Sequence, residues 1–467
     1  MLRCSPVRGL LALFVLLSSG CAPVFPAPDA TVPGDAGPDE GGPPDGGMDG
    51  CTASFRASFD TASGATVWRG TPHDDEALGL AVGPDGSLWV VGYQGGVNNA
   101  RLLPSGAAQG VVARYGRDGV LLGEWLVDSE GADTVEDLVI DESGEAAWVL
   151  GRTTGALPGA MSAGQYDAFL ARLEPNVPVP VRALQFGTER PEHPRRLEAL
   201  PGGRFRVAGF SDLYVPTNYV EAWEDSFVAE LVARDDSLEV TRFERGGSDA
   251  PDVLSGLATD PRDGSYYVSG VRLEGPGRGP FVEKRSEKGR KLWEKHITPI
   301  GIDGAAGVLL DDNGDVVVAG SSALRLGDAS YGEQDVFILK LDAGSGETLW
   351  TMQAGGDQSD WVTDVALGAD GTLWVVGETL GSVGAGVENA GSFDVMLLAF
   401  DANGRRIGAW QWGTSGDDHA AAVAVDGCGR AYVAGYASGA LLPETAWQGG
   451  RDLFVLSVDR PQVEDAP

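Results

Sequence analysis

The stretch Asp360 to Thr379, DWVTDVALGADGTLWVVGET, constrains this chain more than any other, because the chain keeps repeating it. It reads as an opening acid, a short apolar strand, a Gly/Asp turn, a second apolar strand and a closing Gly. Asp75 to Tyr93 (DEALGLAVGPDGSLWVVGY) and Asp418 to Tyr436 (DHAAAVAVDGCGRAYVAGY) follow the same plan. The closing glycine recurs at Gly92, Gly151, Gly209, Gly270, Gly320, Gly377 and Gly435, at spacings of 59, 58, 61, 50, 57 and 58. A nearly fixed period of this kind marks a repeat architecture. Each unit then supplies a third strand, as in Asp167–Leu173, Asp335–Leu341 and Asp394–Phe400. A fourth follows, centred on an aromatic: Trp68, Trp125, Phe186, Phe243, Trp293, Trp350 or Trp410. Short apolar runs separated by turn signals read as antiparallel strands.

Seven units of four strands predict an all-β chain, a seven-bladed β-propeller of four-stranded antiparallel blades over residues 51–460. The first strands (LGLAV, DLVI, GLAT, GVLL, DVAL, AVAV) are short and built of small or aliphatic residues, which suits the crowded axis. The aromatic fourth strands suit the wider rim. A β-helix, the main rival, uses much shorter repeats. The last unit stops after a third strand, Asp452–Val458, whereas Thr66–Arg69 stands ahead of the first unit and carries Trp68. The N-terminal strand is therefore expected to complete the last blade.

The pattern resembles the SBBP-type β-propeller repeats of bacterial surface proteins. The matching residues are the acid-led apolar strand, the D-x-x-G turn, the Y/W-V-x-G strand and the G-x-x-D-x-F-V strand; Asp418 to Gly435 with Asp452–Val455 is among the better copies. The resemblance covers about 400 residues and implies a structural or binding module without common catalytic residues.

Ahead of the repeats, Arg3 and Arg8, the apolar run Leu10 to Leu17 and the small residues Ser18, Ser19 and Gly20 form an export signal over residues 1–20. Its ending, LSSGC, resembles the bacterial lipoprotein lipobox, with Ser18 standing where that motif usually has Leu. The resemblance implies lipidation, typically with palmitate, at Cys21, and Ala22 after the cysteine implies the outer membrane. Residues 21–50 are Pro, Gly and Asp with little apolar content, the composition of a disordered tether; residues 461–467 read as a disordered tail. The formal net charge is -34 over 467 residues, and loss of Arg3 and Arg8 with the leader makes it more negative still. Such a chain repels phosphates, so nucleic acid is excluded as a partner.

Among four cysteines, Cys51 and Cys428 alone remain after processing and lipidation. An oxidising compartment permits a disulfide between them. Cys428 sits in a first-to-second turn and Cys51 is expected near the other end of its strand, so the sequence leaves bonded and free states open.

Antiparallel order sorts the loops by face. Second-to-third loops are long (Tyr93–Gln109, Glu378–Phe393, Tyr436–Arg451) and share a face with the fourth-to-first connections. This long-loop face is the expected binding face, for a protein or glycan ligand. His73, His193 and His419 fall on it, in units 1, 3 and 7. Seven acids open the first strands: Asp75, Asp133, Glu192, Asp252, Asp303, Asp360 and Asp418. Two roles fit them, turn caps that accept backbone N–H bonds, or a ring of carboxylates attracting a weakly held cation such as calcium. Asp311–Asp315 (DDNGD) superficially matches a calcium loop but occupies a hairpin turn. No G-x-S-x-G, P-loop or H-E-x-x-H occurs. The expectation is thus a non-catalytic binding or scaffold module at the cell envelope, without a cofactor. The alternatives are a lyase- or hydrolase-like propeller enzyme with His and Arg at the channel mouth, and a purely structural envelope protein.

Overall fold

A computed structural model describes residues 67–461 apart from the segments 99–103, 106–107, 213–223, 236, 247–251, 274–277, 299–303, 328, 385–387 and 442–446. The leader, Cys21, the tether, Cys51, Asp303 and residues 462–467 lie outside the described residues.

The described chain is all-β, seven antiparallel sheets of four strands each, arranged as a propeller. Blade 1 carries an additional two-residue strand, Pro104–Ser105, on its second strand. The last blade is assembled from both ends of the chain. Its inner strands are His419–Val425, Ala431–Ala437 and Asp452–Val458, and its outer strand is Val67–Arg69, with Trp68 opposite Phe454. Closure by the N-terminal strand thus follows the sequence expectation.

Blades pack through both faces of their sheets, so middle strands show unbroken burial rather than alternation, as in Leu373–Thr379 and Asp394–Phe400. Apolar clusters fill the gaps between adjacent blades; one joins blades 6 and 7 through Trp374, Val376, Leu397, Val423, Val433 and Phe454. Each large apolar side chain buried in this way is worth ~1.5–3 kcal/mol of transfer free energy. The wedge-shaped space near the rim is filled by the outer-strand aromatics. Trp125 stacks on Trp89 at 5.1 Å and Trp410 on Trp374 at 5.5 Å. Trp125 also donates its indole N–H to Glu174 O of the next blade. Blades 3 and 4 meet differently. Their apolar cluster is small, and Arg206 lies over the Tyr266 ring at 4.0 Å while pairing with Glu230.

The repeated glycine has a steric cause. In every blade the first strand bulges opposite it, as between Ala77 and Gly79, Val135 and Asp137, or Val362 and Asp364. The bulge swings a first-strand carbonyl towards the second strand. A Cβ on Gly377 would lie 1.8 Å from Trp361 O, and one on Gly435 1.9 Å from His419 O. The other five glycines meet the equivalent carbonyl at 1.9–2.3 Å. A β-bulge re-aims side chains, and here it turns residues of the inner strands into the axial channel.

Candidate functional site

Two groupings of side chains occupy the axis besides the opening acids. The opening acids turn back into their own loops. Asp133 accepts the Ser129 N–H (2.7 Å), Asp360 the Gly356 N–H (2.7 Å), and Glu192 the Thr188 N–H (3.0 Å) and hydroxyl (2.6 Å). Asp75 and Asp418 accept the N–H four residues earlier, from Thr71 and Thr414. Asp252 instead receives Arg272 Nε at 2.9 Å. These six acids are buried, and burial pushes Asp360 and Asp418 up to about 6 and raises Asp133 and Glu192. Five of the seven acids thus act as turn caps, Asp252 pairs with Arg272, and Asp303 lies outside the described residues. Among the described residues no three His, Cys, Asp or Glu side chains come together to hold a metal ion. The hairpin at Asp311 is also a capped turn: Asp311 accepts the N–H of Asn313 and of Asp315 and pairs with Lys340 at 2.6 Å.

The first of the two groupings lies at the inner rim of the long-loop face, on the residues just before the bulge and their second-strand partners. The pairs around the ring are Glu76 with Tyr93, Thr134 with Arg152, His193 with Phe210, Val253 with Val271, Gly304 with Ser321, Trp361 with Glu378, and His419 with Tyr436. His193 stacks on Phe210 at 4.7 Å and His419 on Tyr436 at 5.4 Å. In both cases the second strand of the preceding blade supplies a charged partner. Arg152 bonds His193 Nδ1 at 2.7 Å, and Glu378 bonds His419 Nδ1 at 2.5 Å. His419 is raised from its ordinary value: its burial opposes this, but the Glu378 carboxylate outweighs it.

The two histidine groups differ in access. His193 is 1% exposed and is enclosed with Glu136, Arg152 and Arg195. The group over blades 6, 7 and 1 is open. Arg451 lies over the Tyr436 ring at 4.2 Å, pairs with Glu76 at 2.7 Å and stays 27% exposed; Trp361 is half-buried, edge-on to Phe393 at 5.4 Å. His73 is exposed in the connection leading to blade 1, and His296 lies on the outer strand of blade 4.

Deeper along the axis, the residues following the bulge place Arg196 of blade 3 against Asp364 of blade 6 at 3.0 Å. Arg196 also donates to Ser255 O of blade 4 at 2.7 Å. Asp137 accepts the N–H of Leu138 and of Leu197, both at 2.8 Å. Burial raises Asp137, and it pushes Asp364 up to about 6 against the opposing pull of Arg196. Below this charged layer a cavity of about 680 Å³ reaches the short-turn face. These three residues share one repeat position, four after the opening acid of each blade, but only three of the seven blades carry a charge there, so the strand pattern read as aliphatic.

Cys428, in the short turn before Ala431–Ala437, is disulfide-bonded. Its expected partner Cys51 lies outside the described residues.

Comparison with known proteins identifies no family. No family model matches the chain. A regulatory protein of Caulobacter vibrioides, FlaEY, is 29% identical over 182 residues, 35% of this chain. The match spans about a fifth of that relative's length, 19%. Among solved structures, Sqt1 from Chaetomium thermophilum aligns over 80% of this chain and 82% of its own, at 12% identity and a TM-score of 0.45. A protein of unknown function from Bacteroides caccae aligns over 69% of this chain and 93% of its own, at 14% identity and a TM-score of 0.40.

Proposed function

We propose that this chain is a non-catalytic binding module, exported, lipidated at Cys21, and tethered at the outer membrane. On this reading its long-loop face takes a protein or glycan ligand. One observation carries the reading. Positions that serve the fold, such as the opening acid and the closing glycine, are alike in every blade. The rim pairs before the bulge are not. They are aromatic and charged over blades 6, 7 and 1, where they are open; charged and aromatic but enclosed over blades 2 and 3; and small or aliphatic at Val253–Val271 and Gly304–Ser321. A ring that only had to close would have no use for such one-sided chemistry.

Trp361, Tyr436 and Arg451 are of the residue types that anchor binding interfaces, and flat aromatic faces beside carboxylate and guanidinium groups also suit a sugar ring. The regulatory description of the Caulobacter relative agrees with a role other than catalysis. The reading is tested with the mature chain carrying Cys21→Ala, immobilised and exposed to envelope extract and to a glycan panel. Capture should be lost in Trp361→Ala/Tyr436→Ala and kept in Asp312→Asn on the opposite face. Equal capture by all three forms would remove the long-loop rim as the site.

A further inference from the structure

The cavity on the short-turn face is separated from the long-loop rim by the Arg196–Asp364 pair, and its lining has its own logic. Immediately below that pair the inner strands of blades 4, 5 and 6 contribute three successive residues to the wall, while blade 3 contributes Leu197 and Glu198. Leu257, Val308, Leu309, Leu310, Val365 and Leu367 are among them. At ~3.3 Å per strand residue this makes an aliphatic band about 10 Å deep. Below the band, where the strands enter their turns, carboxylates form a collar. The whole lining holds seven Asp or Glu and two Arg, Arg196 and Arg262. Arg262 is taken by Asp260 at 2.7 Å, and Asp311 is paired with Lys340. Asp312, which is exposed, and Asp426, which caps its own turn by accepting the N–H of Cys428 at 2.8 Å and of Arg430 at 3.0 Å, make no ion pair among the described residues, so the collar keeps an excess of negative charge over an apolar well. Glu198 is held by the Thr259 N–H and hydroxyl, and burial raises it.

We propose that this cavity is a second binding site, for a primary ammonium group carried on a linear aliphatic stem. The stem fills the band and the ammonium stays at the collar. A volume of about 680 Å³ lies within the ~300–1,000 Å³ usual for small-molecule pockets, which are mostly apolar with a few polar groups fixing orientation. Both carboxyls of the floor are already held, Asp364 by Arg196 and by the Val423 N–H at 3.0 Å, and Asp137 by the N–H of Leu138 and of Leu197 at 2.8 Å. The low-dielectric wall and the like-charged collar concentrate negative potential at one opening, which selects for the sign of the head group. This site is independent of the long-loop reading, and either can fail alone.

The test is calorimetric titration of the full mature chain, carrying Cys21→Ala, with n-octylammonium and with octanoate, which share a stem of similar length and differ in charge. Octylammonium is expected to bind once per chain and at least tenfold more tightly, a preference of about 1.4 kcal/mol, and to weaken as salt is raised. Leu309→Trp should abolish binding by filling the band. Asp312→Lys, on an exposed turn, should weaken octylammonium several-fold without touching the core. Competition by Nα-acetyl-lysine amide would assign the natural ligand to a lysine side chain, and its absence to a free amine. Octanoate binding as tightly as octylammonium, no binding of either, or unchanged octylammonium binding by Leu309→Trp and Asp312→Lys alike would overturn the proposal.

Discussion

Replacing Gly377 by alanine should destabilise the protein more than any other single-methyl addition to a strand outside the equivalent glycines. The new Cβ would sit 1.8 Å from Trp361 O, 2.8 Å from Trp361 C and 3.1 Å from Val362 Cα, all backbone atoms. Ordinary contact begins near 3.4 Å, so the first two strands of blade 6 must part by roughly 1.5 Å, or the bulge must flatten; no flexible side chain can yield instead. Overpacking usually costs ~1–3 kcal/mol, and a clash confined to backbone belongs at or above the top of that range. We expect ~3 kcal/mol or more, which at ~2.1 cal/mol/K per residue over about 400 residues lowers the thermal midpoint by roughly 4 °C. The control is Gly427→Ala, in a short turn of blade 7, where a Cβ meets nothing within 4 Å. That change should be neutral or slightly stabilising, because it only reduces the freedom of the unfolded chain. Calorimetric melts of the two variants and wild type check this. If Gly377→Ala melts with wild type, or with Gly427→Ala, the steric account of the repeat is wrong.

Further predictions follow from the charged interior and the processing of the chain. Asp364→Ala leaves Arg196 buried without its carboxylate and should cost ~3–5 kcal/mol, whereas Arg196→Met with Asp364→Leu should recover much of the loss; urea melts distinguish them. Burial lifts Asp360, Asp364 and Asp418 to about 6 in the folded state. Raised above their unfolded value near ~3.9, they contribute stability that is present at low pH and lost as pH rises through 6. The melting temperature should therefore increase from pH 7.5 to pH 5, and a flat or falling profile contradicts the assignment. Alkylation of the denatured, unreduced mature protein should leave Cys428 unlabelled, and peptide mapping should find it joined to Cys51; a labelled Cys428 rejects the bond. Cys21→Ala should move the protein from the membrane to the soluble fraction and abolish palmitate labelling, and membrane retention of that variant would refute the lipid tether.

How far the sequence could be read depended on whether a feature repeats. Gly92 to Gly435 recur because one bulge is built seven times, and that recurrence gave blade number, strand order and the N-terminal strand of the last blade. The opening acids were legible for the same reason, and periodicity left two roles for them. Hydrogen bonds from residues four places earlier show the cap at Asp75, Asp133, Glu192, Asp360 and Asp418, which spacing along the chain could not, since it says nothing of where a carboxylate points. The meeting of Arg196, Asp137 and Asp364 was invisible because it depends on the bulge turning one repeat position inward from blades 2, 3 and 6, and the other blades carry no charge there. The partnership of His419 with Glu378, 41 residues apart, depends likewise on two blades lying side by side. The cavity had no signature at all, being the space left by aliphatic strands that look like ordinary core.

Both candidate sites exist only if the ring is closed by Val67–Arg69 pairing with 453–455. The most direct measurement compares thermal unfolding and size exclusion of the mature chain with deletions of residues 22–50 and of residues 51–70, alongside Cys51→Ser to separate the strand from the disulfide. Removing 22–50 should change neither observable. Cys51→Ser should lower the midpoint but leave a monomer. Removing 51–70 should uncover the third strand of blade 7 as a bare sheet edge and give aggregation with a much lower melt. A monomer lacking 51–70 that melts with the mature chain would contradict the closed ring.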